Sequence, residues 1–172
     1  MTTILLPKES DRLIFLHGLL SSGQGFKGRL FRSFFPNMLT PDFPGSLEER
    51  MSRLDAILGD STGWCIIGSS FGGLMATLFA TQRPQQVKKL ILLAPAIAAF
   101  PSDELQPPPL VGPIDIPVTI YHGVHDDIVP LEPVRTVAEE LFTDLTFNVV
   151  DDGHRLHETV QAIDWPTLVG KA

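Results

Sequence analysis

The chain has 172 residues, 44% of them hydrophobic and 19% charged, which is enough apolar material for one packed domain but too little length for two. A net charge of −7, with no segment rich in Lys and Arg, excludes the electrostatic pattern of nucleic-acid-binding proteins. The single cysteine, Cys65, excludes an intramolecular disulfide and favours a reducing compartment. We therefore expect one domain over residues 1–172, located in the cytoplasm.

The N-terminal segment Met1–Pro7 carries no basic residue and only a short apolar stretch, so neither a signal peptide nor a membrane anchor is expected. No later segment reaches the roughly 18 apolar residues that a membrane-spanning helix requires. These features predict no integral membrane association.

Apolar runs and helical spacings alternate along the first half of the chain. The continuous apolar run before His17 is typical of a strand that is buried on both faces. Ser46 and Glu49 have the spacing of a capping box, which predicts that a helix begins there. The predicted elements are a strand over Arg12–His17, a helix over Gln24–Phe35, a short strand over Met38–Thr40 and a helix from Ser46 to about Gly59.

The alternation continues in the second half. The predicted elements there are strands over Trp64–Gly68, Lys89–Ala94, Val118–His122 and Leu145–Val150, and helices over Gly72–Gln82, Leu131–Phe142 and Arg155–Ile163. The proline-rich stretch Pro95–Pro117 is interpreted as a loop or a broken helix, too short for a separate cap domain. Together these elements predict an α/β protein, a three-layer α/β/α sandwich with a mostly parallel sheet of about six strands.

Polar residues follow four of the predicted strands, at the edge where open parallel sheets bind their ligands. They are His17-Gly18, Ser70, Asp126 and His154. Ser70 is the central residue of Gly68-Ser69-Ser70-Phe71-Gly72, a G-x-S-x-G string between a strand and a helix. Glycines at these positions permit the tight turn that exposes a nucleophilic hydroxyl. Because a neutral hydroxyl is a weak nucleophile, it needs a base and an acid that orients the base.

Several motifs together resemble the α/β-hydrolase superfamily, in particular its small capless bacterial esterases, and they span nearly the whole chain. They are His17-Gly18, the string around Ser70, the segment Gly123–Pro130 and Asp152-Gly153-His154. Members of that family place the acid in a G-x-x-D-x-x-V-P setting and the base in a G-H dipeptide, in the order nucleophile, acid, base. The resemblance implies a minimal α/β-hydrolase fold with Ser70, Asp126 and His154 as the catalytic triad.

The resemblance also implies an oxyanion hole built from two backbone amides, those of Phe71 and Leu19. Leu20 is the alternative to Leu19. Asp127 is the reserve candidate for the acid, whereas Ser69 is expected to pack beneath the turn.

The other candidate ligands and polar residues are interpreted more simply. His125 is expected on an exposed loop near the acid, and His122 and His157 match no catalytic position. The histidines lack the spacing of zinc ligands, so no metal is predicted. Cys65 is interpreted as a core residue. The segment Gly23–Gly28 is interpreted as a loop near the mouth of the site.

These observations predict a serine hydrolase that cleaves small or short-chain acyl esters through an acyl-enzyme, without a cofactor. A thioesterase, a peptidase or a haloperoxidase-like enzyme with the same triad are alternatives, and so is a non-catalytic binding protein with this fold. Leu105, Leu110 and Val111 are candidates for one wall of an acyl pocket, with a surface loop as the other interpretation.

Overall fold

The computed structural model describes residues 12–98 and 107–170, so the predictions about Met1–Pro7, Leu105 and the middle of Pro95–Pro117 lie outside the described residues. Five strands form one sheet in the order β1-β2-β3-β4-β5, and every neighbouring pair is parallel. The strands are β1 (Leu13–Leu16), β2 (Trp64–Ser69), β3 (Val87–Leu93), β4 (Ile114–Gly123) and β5 (Phe142–Val150). Because all five run in one direction, the loops that follow them meet at a single edge of the sheet.

Helices cover both faces of the sheet. In the described part of the chain they are α1 (Phe26–Phe34), α2 (Leu47–Leu58), α3 (Phe71–Gln82), α4 (Leu131–Leu141), α5 (His157–Ala162) and α6 (Trp165–Val169), with a 3-10 helix over Pro84–Gln86. The capping box predicted for α2 is present. The Ser46 side chain accepts a hydrogen bond from the Glu49 amide at 3.2 Å, and the Glu49 carboxylate accepts one from the Ser46 amide at 2.7 Å. None of the described helices combines the length and the apolar character needed to cross a bilayer.

The sheet has five strands where about six were predicted. The segment Met38–Thr40 contributes only an isolated bridge, in which Leu39 pairs with Ile14 beside β1. The strand β4 begins earlier than predicted, at Ile114, because Ile114 and Ile116 are buried while Asp115 and Pro117 face outward. The end of Pro95–Pro117 is therefore strand and not loop. The short helix α6 was not predicted, and Phe26–Gly28 belongs to α1 and not to a loop.

The core lies on both faces of the sheet, because strand residues alternate between them. In β1, for example, Ile14 and Leu16 face the layer formed by α2, α3 and α4, whereas Leu13 and Phe15 face the layer formed by α1, α5 and α6. Ten of the residues of α3 are buried, so this helix is apolar nearly all round. The predicted three-layer α/β/α sandwich is the architecture observed.

Candidate active site

Ser70 lies in the tight turn between β2 and α3, in a backbone conformation that is unusual for a residue with a side chain. Its φ is 54° and its ψ is −113°. The turn is held from both sides, because the Ser70 amide donates to the Leu93 carbonyl at 2.9 Å and the Ser70 carbonyl accepts from the amides of Gly73 at 2.9 Å and Ala96 at 3.0 Å. Residues in such strained conformations persist only where the surrounding structure fixes them, and they are concentrated at functional sites.

Three glycines allow the chain to approach itself closely around Ser70. A β-carbon at Gly68 would lie 2.5 Å from the Gly72 carbonyl oxygen, and one at Gly73 would lie 2.7 Å from the Pro95 side chain. A β-carbon at Gly72 would overlap the Leu16 carbonyl of β1. The G-x-S-x-G spacing thus has a steric cause here, since any larger residue at these positions would force the turn away from the sheet.

The structure brings Ser70, His154 and Asp126 together. His154 Nε2 lies 3.0 Å from Ser70 Oγ, and His154 Nδ1 lies 2.8 Å from Asp126 Oδ2. The carboxylate accepts the Nδ1 hydrogen, which leaves the Nε2 lone pair directed at the serine hydroxyl. The geometry is that of a nucleophile beside a base, with the base oriented by an acid.

Asp126 is held by hydrogen bonds to three nitrogen atoms, and its side chain is fully buried. Its Oδ1 accepts from the amides of Ile128 at 3.0 Å and Val129 at 2.8 Å, while Oδ2 faces His154 and, at 3.3 Å, His122 Nε2. The neighbouring Asp127 is exposed. The geometry therefore favours Asp126 over the reserve candidate.

His122 was not predicted to take part in the site. It is fully buried at the end of β4, and its Nε2 lies 2.9 Å from the Val129 carbonyl as well as 3.3 Å from Asp126 Oδ2. A carbonyl can only accept, so Nε2 carries the hydrogen. Burial lowers the pKa of His122, and the Val129 hydrogen bond and the Asp126 charge oppose this shift. In the sequence, only its position four residues before Asp126 pointed to a contact with Asp126. Outside a helix, a spacing of four does not predict that two side chains meet.

Asp152 holds the loop that carries His154, and it too was missed as a positioning residue. Its Oδ2 accepts from the Thr159 amide at 2.9 Å and hydroxyl at 2.8 Å, and its Oδ1 accepts from the Gly153 amide at 2.8 Å. Burial opposes ionisation, but these hydrogen bonds leave the pKa of Asp152 lowered. The His125 amide also donates to the Asp152 carbonyl at 3.1 Å, so the acid loop and the base loop are bonded to each other.

The loop after β1 lies against Ser70. A β-carbon at Gly18 would lie 3.6 Å from the Ser70 β-carbon. His17 is buried, with Nε2 accepting from the Phe43 amide at 2.8 Å and Nδ1 donating to the Gly18 carbonyl at 2.7 Å. Because a peptide unit is planar and trans, fixing this carbonyl directs the Leu19 amide the opposite way. Burial lowers the pKa of His17, the Gly18 hydrogen bond opposes the shift, and the Arg50 charge adds to it.

The remaining predicted residues lie apart from this group. His125 pairs at 2.8 Å with Asp151, and both are largely exposed. His157 packs against Phe26 with 4.5 Å between ring centroids. Ser69 is buried and Cys65 lies in the core, as interpreted from the sequence. Among the described residues, no three His, Cys, Asp or Glu side chains are grouped so that they could hold a metal ion.

Two sequence features have structural explanations outside the site. Leu110 lines a depression of about 300 Å³ together with Leu141, at the end of the sheet where β4 begins, so it does not form a wall near Ser70. In Gly23–Gly28, the Gly23 amide donates to the Asp42 carboxylate at 2.7 Å, and a β-carbon at Gly28 would overlap the Gly23 carbonyl. These glycines serve close backbone packing.

A parallel sheet covered by helices on both faces, with a tight strand-to-helix turn that carries a serine after β2, is the architecture of the α/β-hydrolase fold. Solved structures with this architecture include a protein described as a hydrolase of the α/β superfamily from Xanthomonas campestris, with 27% identity, a TM-score of 0.72 and coverage of 89% of this chain and 92% of that one. A monoacylglycerol lipase from Paleococcus ferrophilus has 20% identity, a TM-score of 0.72 and coverage of 93% and 94%. A protein described as a non-heme bromoperoxidase from Mycobacterium tuberculosis has 15% identity, a TM-score of 0.73 and coverage of 92% and 90%.

Protein-family models and curated protein sequences yield no match to the chain. The likeness lies in the fold, which confirms the resemblance to the α/β-hydrolase superfamily at that level. The Xanthomonas campestris protein, at 27% identity, supports hydrolase as the general class of the protein.

Proposed function

We propose that the protein is a serine hydrolase that cleaves small or short-chain acyl esters through an acyl-enzyme. The observation that carries this proposal is the connected geometry from Asp126 Oδ2 through His154 to Ser70 Oγ, with separations of 2.8 and 3.0 Å. The strained conformation of Ser70 adds to it, because packing alone gives no reason for a serine at that position.

In the proposed reaction, Ser70 Oγ attacks the ester carbonyl while His154 Nε2 accepts its proton. Asp126 keeps the imidazole oriented and stabilises its charged form. The amides of Phe71 and Leu19 donate to the oxyanion of the tetrahedral intermediate. His154 then returns the proton to the leaving alcohol, and the same base activates water to release the acid.

Two arguments favour a neutral, partly apolar substrate. Exposed apolar side chains lie on the loops that bear the site, with Leu19 and Leu20 after β1 and Val124 and Ile128 after β4. The net charge of −7 disfavours strongly anionic substrates. Exposed apolar groups beside a polar reaction centre suit an alkyl or acyl chain.

The experiment is hydrolysis of p-nitrophenyl acetate, butyrate and longer esters, combined with labelling by a fluorophosphonate probe. Ser70→Ala and His154→Ala are expected to lower kcat by roughly 10⁴- to 10⁶-fold without loss of folding, as for members of a triad that act as a unit. Ser69→Ala is the matched control, because Ser69 is the adjacent serine and lies 8% exposed beneath the turn. It should retain the label and the activity.

The alternatives predict different results in the same experiment. A non-catalytic binding protein would leave Ser70 unlabelled. A thioesterase would be labelled at Ser70 but would turn over an acyl thioester much faster than the oxygen ester of equal chain length. Near-wild-type hydrolysis by Ser70→Ala would exclude the proposed nucleophile.

A further inference from the structure

Arg50 on α2 is a buried cation without a counter-ion. Arg50 is only 4% exposed, and it forms no ion pair with any residue in the described part of the chain. Burial lowers its pKa. A buried guanidinium that lacks a carboxylate is energetically costly, so its presence requires compensating contacts.

The contacts of Arg50 are with the loop after β1 and with the turn after β2. Arg50 Nη2 donates to the Leu19 carbonyl at 3.2 Å, and the guanidinium carbon lies 5.1 Å from the centre of the Phe71 ring. Nε donates to the Gly45 carbonyl at 3.1 Å, which ties the group to the start of its own helix. Nη1 is buried and has no hydrogen-bond partner among the described residues.

Leu19 and Phe71 are the two residues assigned to the oxyanion hole in the proposed function. Holding the Leu19 carbonyl fixes the plane of the following peptide, so that the Leu20 amide is directed the opposite way and the loop cannot rotate freely. The contact with the Phe71 ring restrains the first residue of α3, whose amide has no partner within the helix. One planar side chain thus touches both sides of the hole.

We propose that Arg50 is a positioning residue that holds the two halves of the oxyanion hole at a fixed separation. Its planar fork is suited to this task because one nitrogen donates to the loop while the face of the group packs on the ring. The inference rests on the proposed function. It concerns the stabilisation of the transition state and not the binding of the ester.

The test compares Arg50→Met and Arg50→Lys with the wild type, using p-nitrophenyl butyrate and a butylboronic acid as the transition-state analogue. Arg50→Met should lower kcat by roughly 10- to 100-fold, somewhat less than removal of an oxyanion donor itself, while KM changes less than about threefold. The affinity for the boronic acid should fall by the same factor as kcat/KM.

Arg53→Met is the matched control, because Arg53 lies on the same helix and is exposed, and its Nε donates to the Asp42 carbonyl at 2.7 Å. The hydrogen bond to Leu19 and the contact with the Phe71 ring belong to Arg50 instead. It should keep the wild-type kcat and boronic acid affinity. Arg50→Lys retains the charge without the fork, and should lower kcat at least about fivefold even if Arg50→Met does not fold.

The outcomes separate this inference from the proposed function. If Arg50→Lys folds and retains the wild-type kcat and boronic acid affinity, Arg50 does not position the hole, although the hydrolase proposal stands. The same conclusion follows if kcat falls in the Arg50 variants while boronic acid affinity is unchanged. If the wild type neither hydrolyses esters nor is labelled at Ser70, the proposed function is wrong and this inference is wrong with it.

Discussion

The candidate site has two parts, named here for their proposed roles: the nucleophile side around Ser70 and the acid–base side formed by the loops of Asp126 and His154. On the nucleophile side glycines let backbone approach backbone, whereas on the acid–base side carboxylates hold the loops by hydrogen bonds. Gly68, Gly72 and Gly73 surround Ser70, and none has room for a β-carbon. Asp126 and Asp152 instead fix their loops through side-chain oxygens. The acid–base side has one comparable steric contact, at Gly123, where a β-carbon would overlap the Asp152 carbonyl.

This difference has a physical reason. Ser70, the proposed nucleophile, is held in a strained conformation, and close packing of the main chain resists relaxation of the turn. The proposed acid and base, Asp126 and His154, need a particular orientation of their side chains, which directional hydrogen bonds provide. The two sides should therefore respond differently to an added methyl group and to the loss of a carboxylate.

The largest expected effect comes from adding a methyl group on the nucleophile side. Gly72→Ala should lower the free energy of unfolding by about 3 kcal/mol, and the melting temperature by roughly 10 °C, because the new carbon would overlap the Leu16 carbonyl in a rigid strand. Gly153→Ala is the control on the base loop, where a β-carbon would meet nothing within 4 Å. Its unfolding free energy should stay within about 0.5 kcal/mol of the wild type. Equal melting temperatures for the two variants would contradict the steric account.

A smaller effect is expected from removing a carboxylate on the acid–base side. Asp152→Ala leaves the Gly153 amide and the Thr159 amide and hydroxyl without their acceptor, which should cost about 2 kcal/mol in unfolding free energy. Because His154 lies in the same loop, kcat should fall by roughly tenfold.

Asp151→Ala is the matched control for Asp152→Ala, since Asp151 is the adjacent carboxylate and is 92% exposed in its pair with His125. An exposed pair of this kind contributes little, so both stability and kcat should remain close to wild type. Thermal melting and ester hydrolysis of the two variants provide the measurement. If Asp151→Ala and Asp152→Ala behaved alike, the hydrogen bonds of Asp152 would not be what holds the base loop.

The contrast between the two sides also explains how far the sequence could be interpreted. Gly68 and Gly72 predict the turn at Ser70 because a steric requirement leaves glycines at fixed spacing. Continuous apolar runs predict most of the strands, since burial on both faces leaves such a run in the sequence. A strand was predicted over Met38–Thr40, but only Leu39 pairs with β1. Local composition does not reveal how many residues of a short apolar segment will pair.

Apart from the capping box of α2, the side-chain hydrogen bonds that hold the site loops have no fixed sequence spacing, so they leave no pattern that predicts them. The spacing between Asp152 and Thr159 carries no signal of its own, and neither does the distance from Arg50 to Leu19. Asp126 was singled out by its place after a predicted strand, whereas its choice as the acid came from the family resemblance. His122 was missed because its contact with Asp126 depends on how the loop after β4 folds back.

The smallest expected effect is the change of the unfolding free energy with pH. Each side contains one buried histidine that can contribute to it. The pKa values of His17 and His122 lie below their ordinary value of 6.5 in the folded protein, chiefly because of burial. A group whose pKa is lowered by folding contributes its full stabilisation above the unfolded pKa and loses it as the pH falls. The free energy of unfolding should therefore decrease below a pH of about 6.5.

His17 should account for more of this decrease than His122. Protonation of His17 would remove the acceptor of the Phe43 amide and place a second positive charge near Arg50. Protonation of His122 would add a hydrogen at Nδ1. Because Nδ1 accepts no hydrogen bond from the described residues, none would be broken, and the new positive charge would lie beside the Asp126 carboxylate. Urea unfolding at about pH 8 and about pH 5.5 should show a flatter dependence in His17→Gln than in His122→Gln. A flatter dependence in His122→Gln would instead make the acid–base side the more sensitive one to acid.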